Sequence, residues 1–178
     1  MTWQTRSSTV VYENAWIRVR EDQVTRPDGD PGLYGVVETG PSVFIAALTG
    51  ERELLLVTQD RYPTGQASTE LPAGNADGED LMVAARRELQ EETGYVAARW
   101  EPLGELQSMN GISDEIQHVY LAQELSYAGG EKLLEDGIHD VRKVPIDEVF
   151  AMIRRGELTD GQSVSSLMLL ALHLDRLA

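Results

Sequence analysis

This chain has no cysteine. Disulfides and thiolate–metal sites within it are excluded, and oxygen and nitrogen donors are left for any metal chemistry. Positive charge is scarce as well: 15 Lys and Arg stand against 30 Asp and Glu, a formal net charge of −15. Nucleic acid is therefore a poor partner, because phosphate backbones need Lys and Arg to neutralise them. A bare anionic substrate is also repelled at long range, unless bound cations invert the local field. No apolar run reaches membrane-spanning length, since the longest, near Leu167 to Leu174, is interrupted by His173. The opening residues, with Arg6, Ser7 and Ser8, lack the apolar stretch of a secretory signal. These absences make a cytoplasmic, membrane-free protein the expectation. No internal repeat or low-complexity tract is evident, and no Asp-rich calcium loop of the EF-hand type occurs.

With 178 residues, 42% of them hydrophobic and 25% charged, the chain is long enough for one domain burying about 70% of its unfolded surface. Alternation from Val10 to Val24 predicts strand, and the turn formers of Arg26 to Gly32 predict a loop. Ser42–Leu48 and Glu53–Thr58 flank Thr49-Gly50-Glu51-Arg52 and read as a hairpin. Further strands are predicted near Val96–Leu106 and Glu115–Leu125, with a loop over Ser126–Gly137. Asp147 is the expected cap of a helix ending before Gly156, and Thr159 or Asp160 of a last helix toward Leu177. Strands mixed with a few helices predict an α+β fold or a mixed-sheet sandwich.

The most informative stretch runs from Glu79 to Tyr95. At about 100° per residue, Glu88, Glu91 and Glu92 share an arc of roughly 100° on a helix. Met82, Ala85 and Leu89 form an apolar stripe beside that arc, so one edge is buried and the acidic edge faces a cleft. Gly94 suits the C-terminal stop, while Asp77, Glu79 and Asp80 complement the positive end of the helix dipole. Three such close carboxylates repel one another unless something positive sits among them. Arg86 and Arg87 could do this on a plain acidic surface helix. A divalent cation is the economical alternative, and a hydrated dication there suggests phosphate chemistry.

The spacing decides between them. Residues Gly74 to Tyr95 resemble the Nudix box, G-x5-E-x7-R-E-U-x-E-E-x-G-U with U aliphatic, matching at Glu79, Arg87, Glu88, Leu89, Glu91, Glu92 and Gly94. Two positions depart from it: four residues, not five, separate Gly74 from Glu79, and Tyr95 replaces an aliphatic residue. Asp60-Arg61-Tyr62-Pro63, Glu70-Leu71-Pro72-Ala73-Gly74 and Gly111-Ile112-Ser113-Asp114-Glu115 are similar to the ADP-ribose pyrophosphatase branch of that family. So is the tail from Val144 through Asp160, and the resemblance covers roughly residues 34 to 175. It implies helix–sheet–helix layers, an α/β/α sandwich around a mixed sheet. It also implies a Nudix domain over residues 41–178 and a homodimer to which the strands of residues 1–40 contribute.

Hydrolysis of a phosphoric anhydride needs water deprotonated and phosphoryl charge neutralised, and Mg²⁺ or Mn²⁺ serves both needs. Glu88 and Glu92 are the expected principal ligands, with Glu91 ligating directly or through water. The resemblance adds the Ala73 carbonyl, and Gly74 beside it permits close backbone approach. Arg87 is expected to orient carboxylates, and Glu79 to serve the dipole or support the site. The branch places its catalytic base in a loop downstream of the box, which implies Glu135. Glu115 is the rival and Glu131 a third candidate, and Gly137 stands where many relatives carry a second acid. Arg61 and Tyr62 could hold diphosphate and stack on a base or ribose, although a strand-end Arg and a packing Tyr fit equally well. Glu70, by its match, could bind a ribose hydroxyl or base amine. Trp3, Trp16 and Tyr34 are expected in core or interface, and His118 in a structural role. His139 is a weaker candidate for substrate contact. The expected activity is hydrolysis of a nucleoside diphosphate linked to another moiety, ADP-ribose foremost, giving AMP and ribose 5-phosphate. Alternatives are a nucleotide-sugar such as GDP-mannose, a dinucleoside compound, or a nucleotide sensor without hydrolysis.

Overall fold

A computed structural model describes residues 2–129 and 137–175. Within them the chain divides into two compact units, one holding residues up to Gly40 together with Gln107–Ile116, the other holding the remainder.

The first unit is an antiparallel meander of β1 (Gln4–Glu13), β2 (Arg18–Thr25) and β3 (Pro31–Glu38). The single strand expected over Val10–Val24 is two strands. Asn14 breaks it, because its Oδ1 accepts the N–H groups of Trp16 and Ile17 and turns the chain. The expected loop also ends early, at Asp30, since Pro31 and Gly32 already pair with Thr25 and Val24. The segment 107–116 hangs on β3: Val37 N–H donates to Ile112 O at 2.8 Å, and Tyr34 Oη–H donates to Gly111 O at 2.8 Å. Trp16, expected in core or interface, is 75% exposed in this chain, while Trp3 packs edge-on against Tyr34 with ring centroids 5.3 Å apart.

The second unit carries two sheets and three helices. One sheet has the order β7 (Ala73–Asn75), β4 (Ser42–Ala47), β9 (Ile116–Tyr127), β8 (Tyr95–Gln107). It is mixed, because β4 pairs parallel to β9 and antiparallel to β7. The other has the order β10 (Ile138–Pro145), β5 (Glu53–Arg61), β6 (Gln66–Glu70). Thr49 and Arg52 close the expected turn, yet β4 and β5 are not a two-stranded hairpin. They touch through the Leu48–Leu54 bridge and then part into different sheets, since each is apolar on both faces and needs cover on both.

Strand β4 shows how the layers form. Val43, Ile45 and Ala47 pack with Ala84, Ala85 and Leu89 of α1 (Leu81–Thr93). Phe44 and Ala46 pack with Val149 and Met152 of α2 (Ile146–Arg155) and Leu167 and Leu170 of α3 (Gly161–His173). Period-two alternation thus sends neighbouring side chains into two separate cores, the helix–sheet–helix arrangement of an α+β fold. Helix α1 is capped by Asp80, whose carboxylate accepts from Met82 and Val83 N–H, and ends at Gly94 with φ 73°. No acid lies in its first turn, so Asp77 and Glu79 precede the helix. Asp147 is not the cap of α2: that helix enters from Pro145 with no side-chain cap, and Asp147 sits in its first turn. Asp160 caps α3 by accepting Ser163 N–H.

Candidate active site

The site is built where α1 packs on β4 and β7. β6 ends at Glu70 and β7 begins at Ala73, and Leu71 and Pro72 between them stay outside both ladders. Pro72 O accepts Ile45 N–H at 2.9 Å, and Leu71 N–H donates to Ser163 Oγ at 2.9 Å. Next, Ala73 N–H donates to Glu92 Oε2 at 2.9 Å. Glu92 is buried, and Glu88 presses on Gly74 so closely that a Cβ there would overlap its carboxyl group. Ala73 and Gly74 therefore lie against Glu92 and Glu88 respectively.

Arg87 is the hub of the acidic edge. Its Nε donates to Glu79 Oε2 at 3.0 Å, Nη1 to Glu88 Oε1 at 2.7 Å and Glu91 Oε2 at 3.3 Å, and Nη2 to Asn75 O at 3.1 Å. Partial burial works against its charge, but the bonds from these three glutamates and the field of Glu88 outweigh that and raise its pKa. Glu79 thus partners Arg87 rather than the helix dipole. The shortened loop before it closes as a tight turn, with Glu79 N–H on Ala76 O at 2.8 Å and positive φ at Asp77 (49°) and Gly78 (83°).

Arg61 and Glu70 are brought together with each other. Nε donates to Oε1 at 3.0 Å and Nη2 to Oε2 at 2.5 Å, with Gln59 Nε2 adding a 3.4 Å contact to the buried carboxylate. The bond to Glu70 raises the Arg61 pKa over its own desolvation, helped by the charges of Glu70, Asp160 and Glu92. Tyr62 is 97% exposed, so packing within this chain is not its role. His118 Nδ1 lies 3.3 Å from Glu105 and His139 Nδ1 lies 3.9 Å from Asp60. Glu115 belongs to the first unit, where its N–H bonds Ser113 Oγ. Glu131 and Glu135 lie outside the described residues. Gly137, with φ 74°, occupies a conformation in which an acid would be strained.

Among the described residues no three acidic or imidazole side chains converge on one point: Glu88 and Glu91 turn to Arg87, and Glu92 to the Ala73 N–H. The donor chemistry nonetheless fits a hard dication. Glu88 and Glu92 stand one helical turn apart against backbone that lacks a side chain at Gly74, and every ligating atom on offer is oxygen. Neither Ser163 nor the Glu79–Arg87 bond is among the expectations from sequence, and the Asp160-x-x-Ser163 cap spacing is the local signal that points to the former.

A core of this layering with the acidic box helix laid over a Leu-Pro-Ala-Gly segment is the Nudix arrangement. The NUDIX domain model matches residues 38–166, and a nucleoside diphosphate sugar hydrolase N-terminal domain model matches residues 3–37. The chain belongs to the Nudix family. Its relatives place it in the ADP-ribose pyrophosphatase branch, as a Nudix hydrolase. It is 34% identical over 174 residues to an ADP-ribose pyrophosphatase of Mycobacterium tuberculosis, covering 96% of this chain and 83% of the relative. The ADP-ribose pyrophosphatase of Bacillus subtilis is 30% identical over 164 residues, covering 91% and 89%. A methanol dehydrogenase activator of Bacillus methanolicus is 32% identical over 165 residues, covering 92% and 89%. The crystal structure of an ADP compounds hydrolase superposes with TM-score 0.86 over 98% of this chain and 95% of that one, and at 20% identity this likeness speaks for the fold alone.

Proposed function

We propose that this Nudix hydrolase is a divalent-metal-dependent pyrophosphohydrolase that splits ADP-ribose into AMP and ribose 5-phosphate. The observation that carries the reading is the closure of Glu92 and Glu88 over Ala73 and Gly74, in a chain whose relatives include two proteins named ADP-ribose pyrophosphatase. Glu88, Glu92, Glu91 and the Ala73 carbonyl would hold Mg²⁺ or Mn²⁺. When bound, that ion supplies neutralisation of phosphoryl charge and a lowered pKa for water. Arg87 holds Glu88 and Glu91 together through Nη1 while Nε and Nη2 reach Glu79 and the Asn75 carbonyl, a planar spread of donors that a lysine could not imitate. In the reaction, water adds to one phosphorus, the bridging P–O bond breaks, and the proton released by water passes to a base, Glu135 in this reading and Glu115 as its rival. Arg61, steadied by Glu70, offers its outward N–H groups to diphosphate, and the exposed Tyr62 ring offers a stacking face.

A second reading has support of its own. The match of residues 3–37 to a nucleoside diphosphate sugar hydrolase N-terminal domain favours a nucleotide-sugar. So does 31% identity over 163 residues to a GDP-mannose pyrophosphatase of Citrobacter koseri. The assembly in this proposal is a homodimer, and β1 exposes Val10, Val11 and Tyr12 for it; sedimentation at micromolar concentration tests this. No helix among the described residues is long and apolar enough to cross a membrane. The function test is nucleotide release from ADP-ribose, GDP-mannose and a dinucleoside diphosphate, with MgCl₂ or with EDTA. The highest kcat/KM is expected for ADP-ribose, abolished by chelator. Binding without Mg²⁺-dependent turnover of any of them would instead identify a nucleotide sensor.

A further inference from the structure

Helix α3 packs into the core through Leu167 and Leu170, yet it buries two serines, Ser163 and Ser166, completely. Serine is a poorer helix former than alanine, and a buried hydroxyl costs free energy unless it is bonded. Each therefore needs a partner, and the two partners differ. Ser166 Oγ accepts from Gln117 Nε2 at 2.6 Å, and the same amide nitrogen reaches Gln162 O at 2.8 Å, tying α3 to β9. Ser163 Oγ accepts instead from Leu71 N–H at 2.9 Å. Its own N–H is held by the Asp160 carboxylate at 2.7 Å. The Leu71 N–H belongs to neither β6 nor β7, so this hydroxyl does what a neighbouring strand would otherwise do.

That bond falls at a sensitive place. The residue before Leu71 is Glu70, which clamps Arg61, and two residues after it Ala73 N–H meets Glu92. We propose that Ser163 is a positioning residue: through Leu71 it sets the backbone that aims Glu70 at Arg61 and Ala73 at the Glu88–Glu92 edge. This rests on the proposed hydrolytic function, whereas the bond itself can be read without substrate.

The test compares Ser163→Ala with Ser166→Ala in the full chain. Both lose a buried serine hydroxyl from the same helix, and both should lower Tm. Ser163→Ala should speed hydrogen exchange at the Leu71 and Ala73 amides about tenfold, and raise the half-saturating Mg²⁺ for ADP-ribose hydrolysis about five- to tenfold. Ser166→Ala should leave both near wild type, and Ser163→Thr, which keeps the hydroxyl, should restore both. Wild-type exchange and Mg²⁺ dependence in Ser163→Ala, or equal shifts in Ser166→Ala, overturn the proposal. Absence of hydrolysis by the wild-type protein counts against the proposed function alone, because the exchange contrast still decides the role of Ser163.

Discussion

Gly74 carries no side chain, and the carboxyl group of Glu88 uses that space. An added methyl would meet the far end of a flexible side chain rather than backbone, so the chain can yield by turning Glu88 away. Gly74→Ala should therefore cost less than about 1 kcal/mol in chemical denaturation, since its φ is not of the left-handed kind. On the proposed metal site, displacing Glu88 should nonetheless weaken Mg²⁺ activation roughly 10- to 100-fold, the usual loss when the orientation of a ligand is disturbed. A Tm collapse with unaltered Mg²⁺ dependence would mean the position matters for folding only. The proposed base calls for a different signature. Glu135→Gln should lower kcat by about 10²–10⁴ while Mg²⁺ affinity stays near wild type. If kcat survives that change and falls instead in Glu115→Gln, the role passes to Glu115.

Among elements, α1 was the most legible, because its determinants are local. The apolar stripe, Asp80 at the start and Gly94 at the end all lie within the segment they define. Asp80→Ala should cost about 1 kcal/mol by denaturant titration, the usual worth of such a cap. β6 and β7 could not be read the same way. They have five and three residues, and their ladders depend on distant partners such as Val57 for Glu70 and Phe44 for Ala73. The false hairpin has the same cause: Thr49–Arg52 does turn the chain, but two-faced burial of β4 and β5 decides which strands they pair with. Glu79 escaped the helical wheel because it precedes the helix and reaches Arg87 across the tight Ala76–Glu79 turn. On β9, Tyr120 is buried, which raises its hydroxyl pKa, with Asp80 and Glu105 adding to the shift. A raised folded pKa means stability is intact below the unfolded value, about 10, and drains away as pH climbs through the folded one. Tyr120→Phe should flatten that alkaline decline in thermal melts from pH 9 upward, and an unchanged slope would assign it to other groups.

At the scale of the whole molecule, charge and site act together. A net charge of −15 favours expansion through self-repulsion, and any salt relieves part of it by screening. Screening depends on ionic strength and does not saturate at low concentration, whereas a site that takes up a dication does. A ligand at 100 times its Kd adds about 2.7 kcal/mol to stability. Thermal melts in MgCl₂ should accordingly exceed melts in NaCl of matched ionic strength, with the excess saturating and vanishing in EDTA. The excess should also shrink in Glu92→Gln, because a neutral amide at a buried position beside Ala73 N–H can keep a hydrogen bond but not a charge. Arg87 remains the internal counter-charge for Glu88 and Glu91 when no dication is present, so the metal-free protein should still fold cooperatively. Should MgCl₂ and matched NaCl melts coincide, Arg87 would be the whole answer to the repulsion among these glutamates, and the metal-dependent reading of the site would fail.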